Sequence, residues 1–191
     1  YSDNQSGIDH HTQRTPFSGG SGVLSSGKLS SNSVFRAAVA SLMLALAIGI
    51  YFAITVHWLI FVLAGLGSFS ILFYTNILAK LQLGELFSGL TLGTFVVLGS
   101  YVVMTARPGI AVTELFPTDV LLMSIPPGIL TALLLLINEF PDVEADKLGG
   151  RKHLVIWLGR KKAAYVYTLG MVATFGTIIG AALFNLVSPW F

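Results

Sequence analysis

Five apolar runs constrain this chain more than any other feature of its sequence. They cover residues 34–55, 56–74, 86–106, 116–137 and 163–187, and the first two nearly touch at Thr55-Val56-His57-Trp58. Crossing a hydrocarbon core takes roughly 20 residues of helix, so each run is about long enough. Hydrocarbon offers no partner to a backbone amide, which leaves helices or closed barrels as spanning forms. Barrel strands alternate apolar and polar residues, and these runs do not. The expected fold is therefore all-α, a polytopic transmembrane bundle with five helices in this chain. Composition agrees: 10% of the residues are charged, against about 25% in a soluble domain. There is no cysteine, which excludes disulfides, zinc thiolates and a thiol nucleophile. Residues 1–33 are polar and rich in Gly and Ser, and read as a loop ahead of a helical domain over 34–191. Tyr1 in place of Met, with no leader pattern behind it, points to a chain that starts part-way through a larger protein.

Glycines such as Gly49, Gly89, Gly93, Gly99 and Gly170 suit close packing between membrane helices. Pro126-Pro127 is expected to kink the fourth helix, because neither residue donates an amide hydrogen. Threading five helices puts residues 1–33, 75–85 and 138–162 on one face. All eleven lysines and arginines except Arg107 fall there, which makes ten, with Arg36 just inside the first helix. This positive-inside bias assigns that face to the cytoplasm, in the plasma membrane of a bacterium or archaeon. A net charge of +2 is too small to suggest nucleic acid as a partner.

The acids need a separate account, because they contribute little to topology. Seven of nine lie on the same face, the exceptions being Glu114 and Asp119. Glu139, Asp142, Glu144 and Asp146 fall within eight residues. Asn138, Asp142 and Asp146 are spaced four apart, so on a helix they form one slowly drifting stripe of oxygens. Carboxylates this close repel one another unless a cation sits among them. Magnesium prefers oxygen ligands and often shares them with substrate phosphates. Arg14, Lys80, Lys147, Arg151 and Lys152 supply positive charge nearby. Metal ions and fixed cations together suit a departing diphosphate, and the apolar helices suit a long hydrocarbon attached to it. Phe17, Phe73, Tyr74, Tyr101 and Phe140 are candidates to line such a site and face an allylic cation, although each alone reads more simply as packing. Glu139 and Glu144 lie off the stripe and read as supporting or solvated acids. His10, His11 and His57 read as loop or interfacial residues rather than metal ligands.

Asn138-Glu139-x-x-Asp142-x-x-x-Asp146-Lys147-x-x-Gly150-Arg151-Lys152-x-Leu154 resembles the second aspartate-rich motif of the UbiA superfamily of intramembrane aromatic prenyltransferases. The stretch Asp3-x-x-x-Gly7-Ile8-Asp9-x-x-Thr12-x-Arg14-Thr15-Pro16-Phe17 resembles the later part of that family's first motif. The likeness is to the branch of dihydroxynaphthoate prenyltransferases of menaquinone synthesis. Leu83-Gly84-Glu85-Leu86 and Val97-Leu98-Gly99-Ser100-Tyr101 also look familial. The resemblance implies a bundle of nine helices, of which this chain carries the third to the seventh. It implies Mg2+ held by Asp3 and Asp9 at one motif and by Asn138, Asp142 and Asp146 at the other, with both pairs of aspartates essential to catalysis. Arg14, Lys147, Arg151 and Asn138 would contact a polyprenyl diphosphate, and a small aromatic acid would accept the prenyl group.

The sequence also departs from the family pattern. The Asn that opens the family's first motif, about four residues before the position of Asp3, falls outside this chain. The stretch 76–82 is shorter than usual and lacks the family's prolines and basic-aromatic pair. His153 stands where the family commonly has a small polar residue, a departure that the sequence does not explain. Two other classes compete with an enzyme. A transporter or channel would need ionisable groups at mid-membrane depth, and the five runs hold almost none. A non-catalytic helical subunit, or a piece too incomplete to act alone, is the other.

Overall fold

The computed structural model describes residues 21–187 apart from 108, 149 and 151, and at 76 the backbone alone. No strand occurs among the described residues. The candidate residues Asp3, Asp9, Arg14, Phe17 and Arg151, with His10 and His11, lie outside them. Helix α1 spans Ser31–Thr55, where the Ser30 side chain accepts from the amide of Ser33 at 3.2 Å and caps an otherwise unpaired N-terminus. Helix α2 covers Leu59–Phe73 and runs into a π-helical turn at Tyr74–Leu78. Between α1 and α2, His57 is buried and its Nδ1 accepts from the Leu59 amide at 3.2 Å. It acts as a turn and cap residue in the connection between the two helices.

Helix α3, Gly84–Gly89, passes through a second π-helical turn, Leu90–Thr94, into α4, Phe95–Thr105. A short helix α5, Val112–Leu115, leads to α6, Thr118–Leu148. Helices α7, Leu154–Leu158, and α8, Arg160–Leu183, follow with one residue between them. That residue is Gly159 at φ +77°, a backbone state that a side chain disfavours.

Four segments are long and apolar enough to cross a membrane: α1, Gly84–Thr105, α6 and α8. The fifth expected span is shorter, since α2 has 15 residues. The expectation of a helical bundle holds. One boundary is corrected: residues 138–148 are not a loop but the last turns of α6, a helix of 31 residues that runs on through Pro126, Pro127 and Pro141. At 1.5 Å per residue that helix measures roughly 46 Å, longer than the ~30 Å hydrocarbon core. Its end therefore stands clear of the apolar layer.

Glycine sets the central crossing. A Cβ on Gly93 would lie 2.5 Å from the Pro127 carbonyl oxygen and 2.6 Å from Gly128 Cα. One on Gly89 would lie 2.5 Å from the Gly128 carbonyl oxygen. The α3–α4 segment and α6 thus meet backbone to backbone beside the double proline, where small residues permit close approach. Thr94 Oγ1 donates to the Ser124 carbonyl at 3.1 Å across the same crossing.

Two apolar clusters form at the two ends. Ile60, Val102 and Leu115 are buried where α1 ends, α2 begins and α4 ends, with Phe52, Val56 and Phe116 against them. Leu133, Leu136, Val143, Val155 and Ala163 are buried at the other end, between α6, α7 and the start of α8. The second cluster is the floor on which the acidic end of α6 rests.

Candidate functional site

Above that floor lies a pocket lined by Tyr74, Gly84, Glu85, Asn138, Asp142 and Asp146, with Glu139, Lys152 and His153 beside them. Three elements build it: the end of α2 with its π-turn, the start of α3, and the last turns of α6 leading to α7. Threading by charge had put residues 75–85 and 138–162 on one face, and both do come to this end. Asn138, Asp142 and Asp146 line the same pocket, as their spacing suggested. A step of four residues turns a helix by about 400°, so such a stripe drifts ~40° per step. Here the drift shows as burial: Asn138 is exposed, Asp142 half-buried, and Asp146 buried at 4% exposure.

Lys147 stands apart, paired with Glu144 at 3.4 Å on the exposed side of α6, and it is not among the pocket's lining residues. Glu144 is solvated, as expected. Lys152 is a cation on the pocket wall. Of the candidate aromatics, Tyr74 lines the pocket, with its Oη 3.0 Å from where a Gly84 Cβ would sit. Phe140 packs on the apolar floor, and Phe73 stacks on Phe69 at 4.9 Å. Tyr101 lies at the opposite end of the bundle, on a surface pocket with Arg107 and Glu114. It is thereby removed from the site, because it sits near the far terminus of α4.

Three residues that the sequence left unexplained or demoted are central here. His153, Glu139 and Glu85 are buried, at 6%, 8% and 5% exposure. The imidazole lies between two carboxylates of α6, with Nδ1 3.2 Å from Glu139 Oε2 and Nε2 3.3 Å from Asp146 Oδ2. These are charge contacts whose angles fall outside hydrogen-bond geometry, since neither ring nitrogen has an aligned partner. Burial disfavours the imidazolium, but Asp146 and then Glu139 more than offset it, and the His153 pKa is raised to about 9. Glu85 Oε1 accepts from the Leu154 amide at 2.8 Å, which ties α3 to the first residue of α7. Its Oε2 is buried without a hydrogen-bond partner among the described residues.

One signal for Glu139 was available. It precedes Asp146 by seven residues, which on a helix returns to within ~20° of the same direction. Glu85 stood in a stretch that looks familial and on the same face, and His153 as a departure from the motif, but no local pattern showed that they would meet, because that depends on tertiary structure.

Among the described residues, no three His, Cys, Asp or Glu side chains form a group able to hold a metal by themselves. Magnesium bound with a phosphorylated ligand asks for less, one or two carboxylates plus phosphate oxygens and water. Asp142 and Asp146 on one pocket wall supply that number, so the residues fit a shared cation and not an all-protein cage.

Comparison with known proteins leads the same way. The chain is 29% identical over 160 residues to the 1,4-dihydroxy-2-naphthoate octaprenyltransferase of Bacillus subtilis, covering 82% of this chain and 49% of that protein. It is 31% identical over 114 residues to the 2-carboxy-1,4-naphthoquinone phytyltransferase of Synechocystis sp., covering 59% of this chain and 34% of that protein. The chain thus spans about half the length, or less, of these curated relatives. No solved structure matches it significantly. The UbiA prenyltransferase family profile matches residues 6–191. With its apolar helices and acidic pocket, the chain is part of an integral membrane protein and belongs to the UbiA prenyltransferase family.

Proposed function

We propose that the complete protein transfers a polyprenyl group from a polyprenyl diphosphate to a small aromatic acceptor, a dihydroxynaphthoate, in menaquinone synthesis. The observation that carries this reading is the convergence of Asn138, Asp142, Asp146 and Lys152 on one pocket at the end of an apolar bundle. Family membership and the two naphthoate- and naphthoquinone-directed relatives support the acceptor class.

In this reading the diphosphate sits at the acidic end and the hydrocarbon runs among the helices. Bound Mg2+ supplies positive charge that stabilises the leaving diphosphate. Asp142 and Asp146 offer the carboxylates that hold it, and Asn138 adds an amide oxygen at the pocket mouth. Lys152 presents a fixed cation to phosphate oxygens. Tyr74 offers an aromatic face to the allylic carbon as charge develops there. The C–O bond to diphosphate breaks with its electron pair going to oxygen, and an acceptor ring carbon forms the new C–C bond. With a naphthoate acceptor, the ring carbon sheds its carboxyl group as carbon dioxide and becomes aromatic again. Asp3, Asp9 and Arg14 belong to the same reading as the first motif's contribution.

The test is prenyl transfer by the complete protein, with a radiolabelled polyprenyl diphosphate and dihydroxynaphthoate. Asp142→Ala and Asp146→Ala should each lower magnesium-dependent transfer at least 100-fold while the protein stays folded by circular dichroism. Full activity in both variants would overturn the site.

A further inference from the structure

We propose that His153 is a positioning residue that sets the orientation of the Asp146 carboxylate in the pocket, with Glu139 as its anchor on the other edge of the ring. The inference rests on reading Asp142 and Asp146 as carboxylates that hold a divalent cation.

The geometry is that of a strut. Glu139 and Asp146 stand seven residues apart on α6, about two turns or ~10 Å along its axis. The ring bridges them, reaching Glu139 Oε2 at 3.2 Å and Asp146 Oδ2 at 3.3 Å. All three side chains are nearly closed to solvent, at 8% and 10% side-chain exposure for His153 and Glu139 and 5% for Asp146.

A strut is useful only if its base is fixed, and this one is held from two sides. The next residue, Leu154, gives its amide to Glu85 Oε1 of α3 at 2.8 Å. The residue after that, Val155, is 1% exposed in the apolar floor with Leu133, Leu136, Val143 and Ala163. The backbone of His153 is thus tied to α3 through Leu154 and packed through Val155 against α6 and the start of α8. Its ring, carried on the segment that leads into α7, gives Asp146 a contact from outside α6.

A purely structural staple between α6 and α7 predicts something different. Partners behind a metal-binding side chain typically change metal affinity 10–100-fold when removed. A staple changes stability, and affects metal affinity no differently whether Asp146 is present or absent.

The experiment measures Mn2+ binding to the complete protein in detergent by electron paramagnetic resonance, with inorganic diphosphate present to supply the phosphate oxygens. His153→Ala should weaken binding at least tenfold. Asp146→Asn should weaken it too, and adding His153→Ala to that variant should cost less than threefold more. A change under twofold in His153→Ala, with Asp146→Asn weakened, overturns the inference and leaves the site intact. An equal loss from His153→Ala in both backgrounds also overturns it, because the effect then does not pass through Asp146. Unchanged binding in Asp142→Ala and Asp146→Asn alike overturns the reading of the site itself, and the inference with it. If His153→Ala does not fold, Glu139→Gln decides the matter: a severalfold weakening supports the strut, and unchanged affinity overturns it.

Discussion

His153 carries a charge that its neighbours create. Burial alone would leave it neutral, but Asp146 and Glu139 from α6 raise its pKa from 6.5 to about 9. Glu85 of α3 binds the adjoining Leu154 amide, and Lys152 lies beside it on the pocket wall. A group whose pKa rises on folding binds its proton more tightly in the native state, so it favours folding wherever it is protonated there. The contribution is fully present below pH 6.5 and is lost as pH rises through about 9. In the complete protein held in EDTA, thermal stability should therefore fall between pH 6.5 and 9 by more than in His153→Asn. Parallel melting curves for the two proteins across that window would refute the charge assignment. Glu85 is the other residue with a measurable part. It holds α7 by one buried hydrogen bond from its Oε1, and Glu85→Ala leaves the Leu154 amide without that acceptor. The expected cost is about 1–3 kcal/mol, read as a lowered unfolding midpoint.

Helix α6 carries the acids, and its crossing with the α3–α4 segment positions them. That crossing has no room for a side chain at Gly93, where a Cβ would meet the backbone of Pro127 and Gly128 at 2.5–2.7 Å. Gly93→Ala should destabilise the protein by about 1–3 kcal/mol, the usual range for overpacking. Gly99 lies six residues further on, and the nearest neighbour of a Cβ there would be Leu63 Cδ1 at 3.6 Å. Gly99→Ala should be neutral or slightly stabilising, since glycine within a helix costs about 0.5–1 kcal/mol relative to alanine. Equal melting temperatures for the two variants would contradict the crossing. At this scale the sequence was legible where periodicity and length carry the signal. The apolar runs foretold the helices, and the spacing of four at Asn138, Asp142 and Asp146 foretold the stripe. It misled at 138–148, where charge resembles a loop but the helix continues past the apolar layer. Glu85, Glu139 and His153 were not legible as a group, because the 68 residues from Glu85 to His153 are closed by packing that no local pattern encodes.

Across the whole molecule, charge and burial are distributed by end. The acidic pocket shares its end with Lys28, Lys80, Lys152 and the run Arg160 to Lys162, while Arg107 and Glu114 line a pocket at the other. The helix flanks between them are apolar and open, and α1 has no buried residue at all. In water such a surface would drive aggregation. Against lipid or neighbouring membrane segments it costs nothing, so the exposed apolar faces and the two-ended charge have one physical explanation. We propose that the acidic end faces the cytoplasm, the orientation that the positive-inside rule expects of this asymmetry. The chain's freedom from cysteine permits a direct test. Lys161→Cys, exposed in the first turn of α8, should react with a membrane-impermeant maleimide in inverted vesicles and resist it in intact cells. Thr113→Cys, exposed in α5 at the far end, should show the reverse. Labelling of Lys161→Cys in intact cells, with Thr113→Cys protected, would put the acidic pocket outside. A cytosolic supply of diphosphate would then be unable to reach it, and the proposed reaction would fail on topology alone.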